Sequence, residues 1–218
     1  VSLSQPPRHR FIAVEGPIGV GKTTLARRLA ESFEYAPLLE SVEHNPFLER
    51  FYRNPRQGAF AAQLYFLFQR TQQIQELRQN DLFSPAWVAD FLMDKDRLFA
   101  RLTLDADELD LYNKAYELQT LDIPQPDLVI YLQAPTQVLQ QRIHRRGVAA
   151  EQQISDRYLQ SINDAYTEFF YYYDEAPLLI INASDIDLVN NEADYNQLLL
   201  QINSIGSGRH YFNPGHQP

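Results

Sequence analysis

Phe11-Ile-Ala-Val-Glu-Gly-Pro-Ile-Gly-Val-Gly-Lys-Thr-Thr24 joins an apolar run to a glycine-rich loop and then to the start of a helix. Gly16, Gly21, Lys22 and Thr23 match the pattern G-x-x-x-x-G-K-[ST] without a gap. Glycines allow successive backbone N–H groups to turn toward phosphate oxygens, and a helix over about 22–32 aims its positive end at the same point. Leu25, Ala26 and Leu29 give that helix an apolar face, so the stretch reads as strand, phosphate loop and helix rather than as a simple turn. Gly16, Gly19, Val20, Gly21, Lys22, Thr23 and Thr24 are the expected contacts for a nucleoside triphosphate. Lys22 is expected on its β- and γ-phosphates and Thr23 on Mg²⁺.

Outward from this loop, short apolar runs alternate with long helical patterns. Residues 10–15, 36–39, 87–89, 128–133 and 178–182 read as buried parallel strands. Helices are expected over about 45–53, 56–80, 94–121 (interrupted near Leu104), 135–146, 155–173 and 192–203. Five strands alternating with helices imply an α/β fold with a doubly wound parallel sheet, whose ligands bind beyond the carboxyl ends of the strands.

The 218 residues are expected to form a single domain, with surface tails at about 1–9 and 206–218. The tail from Ser204 is rich in Gly and Pro. With 19 basic against 28 acidic residues, the balance argues against a binder of duplex nucleic acid. The absence of cysteine removes any disulfide framework and fits the cytoplasm. No apolar run approaches the roughly 20 residues of a membrane span, and residues 1–10 lack the apolar core of a signal peptide.

Polar residues cluster where the strands should end. Asp90, closing the third strand, is expected to share Mg²⁺ with Thr23; its competing role is a helix cap. Glu40, closing the second, is the expected general base, with Glu43, Glu49 and Asp90 as competitors. In the helix over 56–80, Gln63 and Arg70 fall on the apolar stripe of Phe60, Leu67, Ile74 and Leu77. A buried amide and guanidinium need partners, and a nucleobase edge or an internal carboxylate would supply them. Arg142, Arg145 and Arg146 share one helix face, read as a lid over about 142–152 that brings arginines to the phosphates. The run Phe169-Phe-Tyr-Tyr-Tyr173 reads as packing.

Taken together, the phosphate loop, Glu40-Ser-Val, Asn45-Pro-Phe-Leu-Glu-Arg-Phe-Tyr52, Gln63-x-Tyr-x-x-x-x-Arg70, Asp90, Ile130-Tyr-Leu-Gln133 and Arg142-Ile-x-x-Arg-Gly147 resemble the deoxynucleoside kinases in order and spacing. The resemblance spans about residues 11–187. It implies a P-loop kinase fold with an arginine-bearing lid, and transfer of the γ-phosphoryl group of ATP to the 5′-hydroxyl of a 2′-deoxynucleoside. Residue by residue, it implies Glu40 as general base, Gln63 and Arg70 on the base, and Tyr52 and Glu151 at the sugar 3′-hydroxyl. It further implies Arg142 and Arg146 as lid arginines, a segment over 184–189 with Asp185 and Asp187 around the adenine of ATP, and a homodimer formed through helices.

Three features depart from the family pattern. The arginine of the motif after the third strand is missing from Asp90-Phe91-Leu92, so Lys95 or Arg97 is expected to supply its charge. Asp94 and Asp96 compete as the base-facing aspartate. Val148 stands in for a third lid arginine, for which Arg145 is expected to compensate. Asp90-Phe91 is similar to the bacterial deoxypurine kinases, and a cation such as Lys95 near the base would favour guanine O6, an acceptor. The rival expectations are a nucleoside monophosphate kinase, for which Arg50, Arg53, Arg56 and Arg70 offer cations, and a catalytically silent structural subunit.

Overall fold

Alternation along the strands decides which helices cover which side of the sheet. In β1 (Phe11–Glu15), Ile12 and Val14 point to one face while Phe11, Ala13 and Glu15 point to the other. The same split runs through β4 (Leu128–Gln133): Leu128, Ile130 and Leu132 join the first face, Val129 and Tyr131 the second. The computed structural model describes residues 8–80, 86–184, 186–188 and 190–214.

The first face is covered by α1 (Lys22–Phe33), α6 (Thr136–Arg146) and α8 (Glu192–Ser204). The second is covered by α3 (Pro55–Asn80), α4 (Lys95–Thr103), α5 (Ala106–Thr120) and α7 (Asp156–Tyr172). A short α2 (Leu48–Arg53) lies against α3. Ile12, Val14, Leu128 and Ile130 are almost fully buried, each worth about 1.5–3 kcal/mol of apolar transfer. The expected break near Leu104 is real: Asp105 and Glu108 form a reciprocal capping box that starts α5.

The sheet has six parallel strands in the order β2-β3-β1-β4-β5-β6, where β2 is Ala36–Leu38, β3 Trp87–Ala89 and β5 Leu178–Asn182. Five of these were expected. The sixth, β6 (Arg209–Phe212), corrects the reading of residues 206–218 as a surface tail: it pairs with β5 at the sheet edge. Only Phe212 of the four is buried, and Gly206, Gly208 and Pro214 flank the run, so its periodic signal is weak. Residues 1–7 and 215–218 lie outside the described residues.

Candidate active site

The loop between β1 and α1 is built around backbone that a side chain would obstruct. Gly16 has φ +151°, and a Cβ there would sit 2.3 Å from the Leu132 carbonyl oxygen of the neighbouring strand. No side chain caps the start of α1, so its first N–H groups are left for an anion. Lys22 curls over the loop, donating from Nζ to the Gly16 carbonyl at 2.7 Å and to that of Pro17 at 3.3 Å. Loss of water around its ammonium lowers the Lys22 pKa to about 8, against the opposing pull of Glu15.

One wall of a cleft of about 960 Å³ is formed by Gly19, Val20, Gly21 and Thr24. Arg142, Arg145 and Arg146 of α6 and Ser184, Ile186 and Asp187 after β5 complete it. Within it Arg142 is tied to backbone on both sides, donating to Val20 O at 3.1 Å and Ala183 O at 2.6 Å. It clips the phosphate loop to the segment after β5. Arg146 instead donates to Glu151 Oε2 from Nε at 3.0 Å and Nη2 at 2.5 Å. Asp187 accepts from the backbone and side-chain nitrogens of Asn190, both at 2.9 Å. Asp185 lies outside the described residues.

Beside this cleft, and sharing Gly19 and Arg146 with it, is a smaller cavity of about 110 Å³. Glu40, Tyr52, Gln63, Arg70, Asp90, Lys95, Asp96 and Glu151 all line it, together with Lys22 and Thr23. Asp90 is not a helix cap. Its Oδ2 accepts the Thr23 hydroxyl at 2.5 Å and its Oδ1 accepts the Glu40 N–H at 2.7 Å, so one buried carboxylate joins the ends of β2 and β3 to the start of α1. Among the described residues no three His, Cys, Asp or Glu side chains cluster as a metal cage. Thr23 and Asp90 thus fit a cation held mainly by phosphate oxygens, as Mg²⁺ commonly is.

Arg70 donates to Glu40 and to Asp96, and its guanidinium stands over the rings of Phe66 and Phe91, 4.9 and 5.6 Å from their centroids. Arg70 Nε and Asp96 Oδ2 are buried and have no partner among the described residues. An open donor and an open acceptor therefore sit in one cavity with the buried Gln63 amide. Burial raises the Asp96 pKa, opposed by Arg70 and Lys95. Tyr52 is likewise raised by burial, with Tyr158 and Glu151 adding to the effect.

Of the two competing aspartates, Asp96 is the one with Arg70. Asp94 lies in a separate cleft between α4 and α7. Arg97 faces Glu117 at 3.4 Å and the Tyr116 ring, away from the cavity. Lys95 does enter the cavity, with its Nζ 3.5 Å from Glu40 and 3.7 Å from Glu15. Its ion-pair partners are these two carboxylates, so the guanine preference expected from a cation at the base gains no support from Lys95. Phe170 and Tyr173 are buried as packing, whereas Tyr171 and Tyr172 are exposed.

Sequence reasoning passed over Glu15. It is fully buried and accepts from the Gly16 N–H (2.8 Å), the Leu92 N–H (2.8 Å) and the Tyr166 hydroxyl (2.9 Å). An acid inside a five-residue buried strand was the available signal.

The family model for deoxynucleoside kinases matches residues 12–206. The chain is 34% identical over 200 residues to deoxyguanosine kinase of Bacillus subtilis, covering 89% of this chain and 97% of that one. Deoxyadenosine/deoxycytidine kinase of the same species is 30% identical over 209 residues, with 91% and 94% covered. The structure of a deoxyadenosine kinase from M. mycoides with dCMP and dCDP bound superposes with a TM-score of 0.77. It is 26% identical and covers 89% of this chain and 100% of that one.

Proposed function

The chain belongs to the deoxynucleoside kinase family, and from that premise we propose how its two adjoining clefts divide the reaction. It is an ATP-dependent phosphotransferase that phosphorylates deoxynucleosides in salvage. In our reading the larger cleft takes ATP and the smaller takes a purine deoxynucleoside, deoxyguanosine or deoxyadenosine, with its 5′-hydroxyl toward Glu40. The relatives named above as acting on these purines support that preference. The observation that carries the reading is the Asp90 bridge. It sets the Glu40 backbone and the Thr23 hydroxyl against the same carboxylate, so the base and the phosphate loop keep a fixed separation.

Transfer then asks little covalent chemistry of the protein and much positioning. Glu40 accepts the 5′-hydroxyl proton as that oxygen forms its bond to the γ-phosphorus. The bond from phosphorus to the β-phosphate oxygen breaks, and its electron pair leaves with ADP. Lys22, now on the Gly16 and Pro17 carbonyls, turns to the β- and γ-phosphates. Thr23 and Asp90 would hold Mg²⁺, which would supply charge neutralisation for the phosphoryl transfer. Arg142 orders the cleft by its backbone clip, and Arg145 and Arg146 face the phosphates from the lid.

In the acceptor cavity Gln63, the open Arg70 Nε and the open Asp96 Oδ2 read the base edge. A purine presents both donors and acceptors there, which this mixed set can satisfy. Tyr52 and Glu151 hold the sugar 3′-hydroxyl, with Glu151 kept in place by Arg146. The protein acts as one cytoplasmic domain and as a homodimer through its helical faces.

ATP-dependent phosphorylation of the four natural deoxynucleosides and of their monophosphates, measured side by side, tests this reading. Deoxyguanosine and deoxyadenosine are expected to give the highest kcat/KM. Turnover of monophosphates alone would assign the acceptor cavity to a nucleotide instead.

A further inference from the structure

Two lysines enter the reaction region, and the transfer step described above uses only Lys22. Lys95 opens α4, is buried, and lines the acceptor cavity with Glu40. An ammonium has three N–H donors, yet the Lys95 contacts to Glu40 (3.5 Å) and Glu15 (3.7 Å) are both longer than an ordinary hydrogen bond. One long contact to Glu40 is the ammonium's one hydrogen bond among the described residues, so most of its donor capacity is unspent. Glu15, by contrast, is held on both oxygens: Oε1 takes the Gly16 N–H and the Tyr166 hydroxyl, and Oε2 takes the Leu92 N–H and keeps a lone pair toward Lys95. A carboxylate pinned from three elements is a rigid post beside a cation with free hydrogens.

We propose that Lys95 is a catalytic residue of the transfer step, supplying the acceptor-side positive charge, and that Glu15 is the residue that positions it. This rests on the assignment of Glu40 as the base for a 5′-hydroxyl. A hydroxyl on Glu40 Oε2 lies about 2.6–3.2 Å from it, which brings the hydroxyl oxygen within reach of an Nζ standing 3.5 Å from the same carboxylate atom. The migrating phosphoryl group arrives at that hydroxyl oxygen. Lys95 then donates a hydrogen bond to a phosphoryl oxygen as charge develops, in a water-poor cavity where such a contact is strong. It neither gains nor loses a proton; the 5′-hydroxyl proton still passes to Glu40. Because Glu15 directly precedes Gly16, the post that holds Lys95 is also in register with the phosphate loop. Lys22 and Lys95 thus flank the transfer from the donor and acceptor sides.

The charged groups around Lys95 come from every neighbouring element: Glu15 of β1, Lys22 of α1, Glu40 after β2, Arg70 of α3, Asp90 after β3 and Asp96 of its own helix. Tyr166 of α7 reaches it only through Glu15. Burial lowers the Lys95 pKa and Glu15 opposes that shift. Removing the Glu15 charge should let Lys95 lose its proton at lower pH.

The first test compares Lys95→Met and Lys95→Arg with the wild type on the best deoxynucleoside. Lys95→Met is expected to lower kcat by about 100-fold, the usual loss on removing one such donor, with both KM values within about threefold. Lys95→Arg should recover at least a tenth of the wild-type kcat. A Lys95→Met enzyme whose kcat stays near wild type overturns the proposal, as does a loss confined to the deoxynucleoside KM with an altered base ranking. Where Lys95→Met fails to fold, Glu15→Gln carries the test. Its alkaline limb of kcat should move to lower pH, and the shift should shrink in Glu15→Gln combined with Lys95→Arg, because guanidinium does not titrate there and only the response of Lys22 to Glu15 remains. A shift of undiminished size in the double variant belongs to Lys22 alone and overturns the assignment. A wild-type enzyme inactive on every deoxynucleoside would overturn the acceptor reading itself and the Lys95 role with it. An active wild type beside an unimpaired Lys95→Met removes the Lys95 role alone.

Discussion

Single side chains at this site hold more than one partner. Asp90 fixes both Thr23 and the Glu40 backbone, and Glu40 meets both Arg70 and Lys95. Glu40→Gln keeps the size of the side chain and removes its basicity, so kcat should fall by about 100-fold or more; a near-wild-type kcat in single-turnover assays would pass the role to another group. Lys22 offers a pH test. Its pKa is lowered to about 8 in the free protein, while triphosphate favours the charged ammonium, so binding above that pH must draw in a proton. The ATP Kd is therefore expected to rise from about pH 7 to about pH 9, with proton uptake visible by calorimetry in buffers of different ionisation heat. A flat Kd across that range would contradict it. At this scale Lys22, Thr23, Glu40, Gln63 and Arg70 were legible because each sits in a motif or on a periodic stripe. Asp96 was readable only as one of two choices, and Glu15 only as an acid in an apolar strand, because its partners Leu92 and Tyr166 lie 77 and 151 residues away.

Elements place these side chains, and two contacts show how closely. α2 carries Tyr52 and crosses α3 at Gly58, where an added Cβ would sit 2.6 Å from the backbone of Phe51. Gly58→Ala must push α2 away, since backbone cannot rotate aside. The deoxynucleoside KM should rise by roughly tenfold or more while the ATP Kd changes little. Equal changes in both constants would mean that the whole site had moved. At the far edge, β6 is held by buried Phe212, and Arg209 donates to the Phe170 and Tyr171 carbonyls at the end of α7 at 2.9 and 2.8 Å. Phe212→Ala is expected to cost about 3 kcal/mol, or about 6–12 °C in Tm for a chain of this size. A scan showing no shift would make β6 dispensable. Strands with several buried positions were legible from alternation. β6, with one such position between glycines and proline, had too little pattern to register.

The whole molecule leaves apolar surface on its outer helices: Leu111 and Leu118 of α5 and Tyr171 and Tyr172 of α7 are more than half exposed. Sedimentation at micromolar concentration should report the mass of two chains, and Leu111→Glu combined with Leu118→Glu should shift it toward one if α5 is in the interface. The amino-acid sequence by itself determined the phosphate loop, the parallel α/β order and the family, because each rests on covalent spacing or local periodicity. The pairing of charges was decided only in three dimensions. Arg70 takes Asp96 rather than Asp94, Lys95 stands between Glu15 and Glu40, and Arg97 turns outward. The physical reason is that an ion pair is selected by the distance between groups after the sheet has ordered its strands. That distance is set by packing between segments remote in the chain, which no local pattern encodes.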